Sequence, residues 1–344
     1  MKVLLTGHRG YIGSVMSGIL QRAGHDVTGL DADFYRGCDF GPAGPAIPSL
    51  GQDVRNVEVD DLCGFDAVIH LAALSNDPLG CLDEARTYEI NHHGSVQLAT
   101  RAKAAGVSRF LFASSCSLYG AAGDALLDES ASFRPVTAYG RSKVLAETDV
   151  ASLADGSFSP TFLRNATAYG VSPRLRADIV VNNLVGIAYT TGDVLIQSDG
   201  TPWRPLIHVR DIARAFLAVL QAPRAAVHGE AFNVGSTQEN YMVRDVAEIV
   251  RAVVPGCSIR YAEGAGPDPR CYRVSCDKLL RHVPDFRTEW NVRRGVEELY
   301  ESFVRYRLTS DMFRQYVRLT RIQEFLADGR LDSALRWSTP TVVV

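Results

Sequence analysis

A glycine-rich turn directly after the first apolar segment constrains the fold more than any other feature of the chain. Residues 2–6 have the apolar character of a buried strand, and residues 11–23 have helical periodicity. The glycines of the connecting turn permit a sharp bend, close approach of a diphosphate and close packing of the helix. The spacing is GxxGxxG rather than GxGxxG, but the strand-to-helix context favours a dinucleotide site. The residues concerned are Gly7, Arg9, Gly10, Tyr11, Ile12 and Gly13.

Apolar runs continue to alternate with helical patterns through the first half of the chain. Helical periodicity recurs at residues 83–105 and 138–153, and residues 40–50, rich in glycine and proline, indicate a loop or insertion. Such alternation predicts an α/β protein with a doubly wound parallel sheet, the Rossmann fold. Further strands are expected at residues 26–30, 67–71, 110–114 and 161–163.

The alternation loosens after about residue 170, which indicates a second region of different architecture. We interpret residues 1–170 as a Rossmann domain that also takes later elements near residues 206–235. Residues 171–308 are then a smaller, interleaved C-terminal α/β lobe for the substrate, and residues 309–344 a helical extension without a motif. Helices are expected at residues 178–189, 209–220, 243–253 and 309–330, with short strands at 194–197 and 231–234.

Composition narrows the classes of ligand and the cellular compartment. The net charge is -3 and the basic residues are scattered, so the chain offers no electrostatic footprint for nucleic acid. The cysteines are odd in number, dispersed and without a CxxC pair, which argues against a metal site or a disulfide framework. Without a signal peptide pattern or a membrane-length apolar run, we expect a cytoplasmic protein with a small ligand. The cysteines are Cys38, Cys63, Cys81, Cys116, Cys257, Cys271 and Cys276.

Asp31 ends the second predicted strand and favours NAD over NADP. Its carboxylate can accept hydrogen bonds from the adenosine ribose and repel a 2′-phosphate. Arg9 leaves an alternative open, because a guanidinium in the turn could receive a 2′-phosphate. Asp53 and Val54 are candidate adenine contacts, and Leu71, Ala72 and Ala73 end a strand where small residues let a cofactor pass close to the backbone.

Tyr139 and Lys143 carry the predicted chemistry. They are four residues apart in a helical pattern and therefore share a face, where the ammonium can lower the pKa of the phenol from about 10. A hydroxyl-rich segment, which includes Ser115, lies between the glycine turn and this pair. The three features together predict an enzyme that transfers a hydride.

These motifs resemble the extended short-chain dehydrogenase/reductase family of NAD-dependent nucleotide-sugar epimerases and dehydratases, over about the first 300 positions. The resemblance implies a sugar-nucleotide substrate and a homodimer that pairs helices near residues 83–105 and 138–155. It also implies that Tyr139 removes the proton of the sugar 4-hydroxyl, that Lys143 holds the nicotinamide ribose, and that Ser115 binds the C4 oxygen. The substrate residues implied are Ser115, Thr167, Asn183, Arg204 and Arg270.

The residues that follow Ser115 bear on which reaction this machinery serves. In dTDP-glucose 4,6-dehydratases those two positions are Asp and Glu, whereas this chain has Cys116 and Ser117, which disfavours dehydration. Cys116 is interpreted either as a thiol acid or base or as a small residue that lines the pocket. Thr167 also departs from the family, which often has Asn there. The expected function is a nucleotide-diphosphate-sugar 4-epimerase; the alternatives are a dehydratase, decarboxylase or 4-ketoreductase and, more remotely, a non-catalytic cofactor sensor.

Overall fold

A parallel sheet of seven strands forms the centre of the computed structural model, which describes residues 1–75, 80 and 83–338. Cys81 and residues 339–344 of the expected extension lie outside these ranges. The strands are β1 (Lys2–Thr6), β2 (Asp26–Leu30), β3 (Ser49–Leu50), β4 (Ala67–His70), β5 (Arg109–Ser115), β6 (Ala121–Leu127), β7 (Ser159–Asn165), β8 (Thr167–Tyr169), β9 (Asp193–Ser198), β10 (Trp203–His208), β11 (Ala231–Val234), β12 (Asn240–Met242), β13 (Ser258–Gly266) and β14 (Cys271–Val274).

Helices cover both faces of this sheet. Within the described ranges, none combines the length and the apolar character needed to cross a membrane. The helices are α1 (Gly13–Arg22), α2 (Glu84–Tyr88), α3 (Gly94–Ala104), α4 (Ala138–Ala151), α5 (Val180–Thr191), α6 (Val209–Gln221), α7 (Arg224–Val227), α8 (Val243–Val253), α9 (Asp277–His282), α10 (Val292–Arg305), α11 (Ser310–Gln315) and α12 (Arg318–Ala327).

The order of strands in the central sheet is that of a doubly wound fold. From one edge to the other it runs β11-β7-β5-β4-β1-β2-β3, with every neighbouring pair parallel. Alternate side chains of β1 enter opposite cores, because successive residues of a strand point to opposite faces. Leu5 packs with α1 and α6, whereas Leu4 packs with α3 and α4. The predicted Rossmann fold is therefore confirmed.

A second group of elements stands beside the carboxyl ends of these strands. Its sheets are small, with β10 between β8 and β12, β9 paired with β13, and β6 paired with β14. Helices α5, α8 and α10 pack together over an apolar core that includes Leu184, Val246 and Leu299. The division of the chain at residues 170 and 308 stays a prediction.

Most elements agree with their predicted positions, and three differ. β1, β2, β11 and α8 have the expected bounds. The helix expected at residues 309–330 is two helices, α11 and α12, because Val317 between them has an extended backbone. The helix expected at residues 83–105 instead consists of α2 and α3 joined by a π-helical segment, Glu89–His93. The loop expected at residues 40–50 ends in β3, which pairs with β2 at the sheet edge. The expected homodimer stays a prediction, which light scattering on the purified protein would decide.

A buried ion pair ties α4 to the central sheet. The guanidinium of Arg164, on β7, donates to the Glu147 carboxylate at 2.8 Å, and each side chain is only 6% exposed. Arg164 also donates to the hydroxyl of Tyr119 at 3.2 Å and to the backbone oxygen of Glu129 at 3.1 Å. Because both charges are out of water, each depends on the other for its solvation.

We expect Arg164→Met to lower the free energy of unfolding by about 3–5 kcal/mol, because it leaves the Glu147 carboxylate buried without its partner. The double variant Arg164→Met/Glu147→Leu should recover most of that loss. The exposed pair Arg251 and Glu248 gives the matched control, and Arg251→Met should change the free energy by less than about 1 kcal/mol. Urea unfolding followed by circular dichroism measures all three, and equal losses from Arg164→Met and Arg251→Met would contradict the assignment.

Candidate active site

A large cavity lies at the carboxyl ends of the central strands and extends between the two regions of the fold. Its volume is about 1110 Å³, enough for a dinucleotide together with a second ligand. Every site residue expected from the sequence lines it except Arg9 and Cys116. Those that line it are Gly7, Gly10, Tyr11, Ile12, Gly13, Asp31, Asp53, Val54, Leu71, Ala72, Ala73, Ser115, Tyr139, Lys143, Thr167, Asn183, Arg204 and Arg270.

The glycine turn has the geometry of a diphosphate cradle. Gly7 has a φ of +71°, a left-handed conformation that favours glycine, and α1 begins at Gly13. A Cβ atom at Gly13 would lie 2.1 Å from the Gly7 carbonyl oxygen, so this position accepts no side chain. The amino end of α1 faces the cavity with backbone N–H groups that suit an anion.

Asp31 and Arg9 occupy different positions relative to the cavity. Asp31 lines it and accepts hydrogen bonds from the backbone N–H groups of Arg9 at 2.8 Å and Asp33 at 2.7 Å. Each carboxylate oxygen retains acceptor capacity for a ribose hydroxyl. The Arg9 guanidinium is paired with Asp33 at 3.1 Å and does not line the cavity. These residues therefore fit NAD.

The predicted catalytic residues approach the cavity from β5 and α4. Ser115 ends β5, and its Oγ accepts a hydrogen bond from the Ser117 hydroxyl at 2.8 Å. Tyr139 lies in the first turn of α4, whose amino end is capped by Thr137. Lys143 is one turn later and donates from Nζ to the Ala113 carbonyl oxygen at 2.8 Å. Burial lowers the pKa of Lys143 from 10.5 to about 8, against the opposing effect of the Glu147 carboxylate.

Cys116 lies beneath the cavity rather than in its wall. Its side chain is fully buried, and Sγ donates to the Arg164 carbonyl oxygen at 3.1 Å. Burial raises the pKa of this thiol far above its usual value, so it stays protonated at neutral pH. The interpretation of Cys116 as a pocket-lining residue is thereby corrected, and we do not propose it as an acid or base.

Two arginines and one carboxylate form a cationic cluster at the other end of the cavity. Asp268 accepts hydrogen bonds from Arg204 at 2.8 Å and from Arg270 at 2.6 Å. Burial would raise the pKa of Asp268, but the bonds from Arg270 and the charge of Arg204 hold it below its usual range. The cluster has one more positive than negative charge, which suits a diphosphate. Thr167 and Asn183 line the same cavity.

Several polar side chains of the cavity were not anticipated. Ser117 belonged to the hydroxyl-rich segment and could have been chosen from it. Arg176 and Asp178, which pair at 2.9 Å, carried no motif, and neither did Tyr35 or Arg318. Their proximity arises from segments far apart in the chain. Among the residues that the structure describes, no three His, Cys, Asp or Glu side chains are placed to hold a metal ion.

We expect Lys143→Met to stabilise the protein at pH 7 by about 3 kcal/mol while abolishing activity, because the variant no longer buries an ammonium group. The folded-state pKa is lowered to about 8, so between pH 8 and 10.5 the unfolded chain binds more protons and the unmodified protein gains stability as pH rises. The advantage of the variant should therefore be largest below pH 8 and shrink towards pH 10.5. Thermal unfolding across this range measures it, with the exposed Lys2→Met as control. A constant difference would refute the explanation.

Known proteins are similar to much of this chain. A sequence model of the NAD dependent epimerase/dehydratase family matches residues 3–235. A UDP-glucose 4-epimerase from Corynebacterium glutamicum is 31% identical over 268 residues, covering 74% of this chain and 80% of the relative. A dTDP-D-glucose 4,6-dehydratase from Mus musculus is 27% identical over 190 residues, covering 55% of this chain and 52% of the relative.

Solved structures are similar to this chain as well. The structure of MoeE5 in complex with UDP-glucuronic acid and NAD superposes with a TM-score of 0.77 at 26% identity, covering 89% of this chain and 99% of MoeE5. The glycine cradle and Asp31 of this chain fit NAD, as expected for such an enzyme. The chain belongs to the NAD-dependent epimerase/dehydratase family of nucleotide-sugar enzymes.

Proposed function

We propose that this enzyme is a nucleotide-diphosphate-sugar 4-epimerase that works through a transient 4-keto sugar. The proposal is supported by the presence of Ser115, Tyr139 and Lys143 in one cavity with the NAD cradle and the Arg204 cluster. The Corynebacterium glutamicum relative, a UDP-glucose 4-epimerase, supports it further.

The observation that carries the proposal is that every carboxylate lining the cavity, among the described residues, already accepts hydrogen bonds. Removal of water from a sugar needs a further acid or base beside the catalytic serine. No glutamate lines the cavity among the described residues, and its aspartates already accept hydrogen bonds from backbone N–H groups or arginines. These aspartates are Asp31, Asp53, paired with Arg55, Asp178, paired with Arg176, and Asp268. An epimerase needs only the tyrosine, because it returns the same proton and hydride.

In the proposed mechanism the residues of this chain bind, orient and move a proton at the sugar C4 oxygen. The Arg204 cluster binds the diphosphate, and the Ser115 hydroxyl positions the 4-hydroxyl group. The Tyr139 phenolate takes the proton of that group, and the nearby Lys143 ammonium favours the phenolate. Bound NAD supplies a hydride acceptor and donor for C4. After the 4-keto sugar rotates within the cavity, Tyr139 returns the proton to the C4 oxygen of the inverted centre.

The products of the reaction distinguish an epimerase from the other activities of the family. The purified enzyme should be incubated with UDP-, dTDP-, GDP- and CDP-sugars, first without added cofactor and then with NAD, and the products identified by mass spectrometry and NMR. We expect an isomer of unchanged mass. Loss of water or carbon dioxide would replace the proposal with a dehydratase or decarboxylase, and turnover only of a pre-oxidised sugar with NADH would indicate a 4-ketoreductase.

We expect Tyr139→Phe to reduce kcat by at least about 100-fold while leaving the affinity for NAD and sugar nucleotide nearly unchanged, because it removes only the proton acceptor. Arg204→Ala should instead weaken sugar-nucleotide binding by about tenfold or more. Steady-state kinetics and calorimetry on both variants separate the two roles. Near-normal turnover by Tyr139→Phe would sink the mechanism and revive a cofactor-sensing role.

A further inference from the structure

Arg318 is a buried cation that lacks a carboxylate partner among the described residues. It opens α12 in the C-terminal extension and is 1% exposed. Its guanidinium lies 4.0 Å from the centre of the Tyr35 ring, and its Nη2 donates to the Arg174 carbonyl oxygen at 3.0 Å. Its Nη1 has no hydrogen-bond partner in the described part of the chain. A buried charge in this condition is costly unless an anion joins it.

Tyr35 presents a second unsatisfied group beside Arg318. Its hydroxyl is buried and likewise has no hydrogen-bond partner in the ranges that the structure describes. Both residues line the large cavity, as does Arg176, whose charge is matched by Asp178. The positive charge of Arg318 is therefore left over, with a hydroxyl donor adjacent to it. A phosphate group would satisfy both.

The position of Arg318 relative to the glycine turn indicates that the phosphate belongs to the dinucleotide. The Tyr11 carbonyl oxygen, in the turn, accepts a hydrogen bond from the Ser172 hydroxyl at 2.7 Å. Two residues further along the same segment, the Arg174 carbonyl oxygen accepts from Arg318. A short run of backbone thus connects Arg318 to the turn. In this fold the diphosphate of a dinucleotide lies at that turn, against the amino end of the first helix.

The rest of the extension is attached to the adenosine side of the site. Trp337 donates from its indole Nε1 to the Ala32 carbonyl oxygen at 2.5 Å, directly after Asp31. Arg55, which is paired with Asp53 and Glu89, donates to the Leu335 carbonyl oxygen at 3.0 Å. The extension therefore holds the two segments that carry the expected ribose and adenine contacts. Binding of the cofactor and docking of the extension must favour each other.

We propose that the C-terminal extension is part of the dinucleotide site, in which Arg318 and Tyr35 bind the diphosphate of NAD and the docked segment slows release of the cofactor. An enzyme that regenerates its cofactor in each turnover gains from such retention, since loss of NAD or NADH between the two half-reactions would strand the intermediate. The proposal concerns the cofactor and holds whichever sugar is the substrate.

The test compares release of NAD from Arg318→Gln and from Arg314→Gln. Arg314 lies in the same extension but is 76% exposed and paired only with Asp311 among the described residues, which makes it the matched control. The variants are stripped of cofactor, and the affinity and dissociation rate of NAD are measured by calorimetry and stopped-flow fluorescence. We expect Arg318→Gln to bind NAD about tenfold more weakly, mainly through faster release, and the control to be unchanged.

Two milder variants keep the test decisive if Arg318→Gln fails to fold, as judged by circular dichroism. Tyr35→Phe keeps the ring but removes the hydroxyl, and Trp337→Phe removes the indole donor to Ala32. Each should release NAD several-fold faster. Unchanged NAD affinity and release in the folded variants would overturn the proposal. So would a loss of UDP affinity with NAD binding intact, because it would assign the guanidinium to the sugar nucleotide.

Discussion

The buried ion pair between Arg164 and Glu147 is the interaction on which the geometry of the active site depends. Tyr139, Lys143 and Glu147 follow one another at intervals of four residues and so lie along one face of α4. Glu147 fastens that face to β7, and Arg164 also holds the Tyr119 hydroxyl in the turn after Ser115. One guanidinium therefore sets the position of the helix that carries Tyr139 and of the turn that follows Ser115. Rigid placement of this kind is what proton transfer at a single sugar oxygen requires.

The same region contains a buried cation that lowers the stability of the fold. The Lys143 ammonium is buried against the Ala113 carbonyl oxygen and the Phe112 ring, where its charge is poorly solvated. The Cys116 thiol is also fully buried, but it is neutral and carries no such cost. In the proposed mechanism the buried charge beside the tyrosine favours the phenolate, so the cost at Lys143 accompanies its proposed role. Two further cations of the cavity, Arg204 and Arg318, are buried as well.

Local patterns were enough to predict the first half of the fold and the glycine turn, Asp31, Ser115, Tyr139 and Lys143 of the cavity wall. The glycine turn, Asp31 and the Tyr139–Lys143 spacing are short-range signals, because each depends on the geometry of a single turn or helix. The π-helical segment at Glu89–His93 and the strand at Ser49–Leu50 were not predictable in this way, since each is stabilised by neighbours distant in sequence. Arg176 and Arg318 escaped for the same reason, as isolated arginines in segments without a motif.

The amino-acid sequence by itself determined the fold class, the dinucleotide cradle and the catalytic residue types, because strand and helix periodicity and the glycine turn act over a few residues. The tertiary structure alone decided which charges share a pocket and which side chains are withdrawn from it. It buried Cys116 beneath the site, engaged each cavity aspartate with a donor and brought the extension against the segments that carry Asp31 and Asp53. These outcomes depend on desolvation and on contacts between distant segments, and both quantities are defined only once the chain has packed.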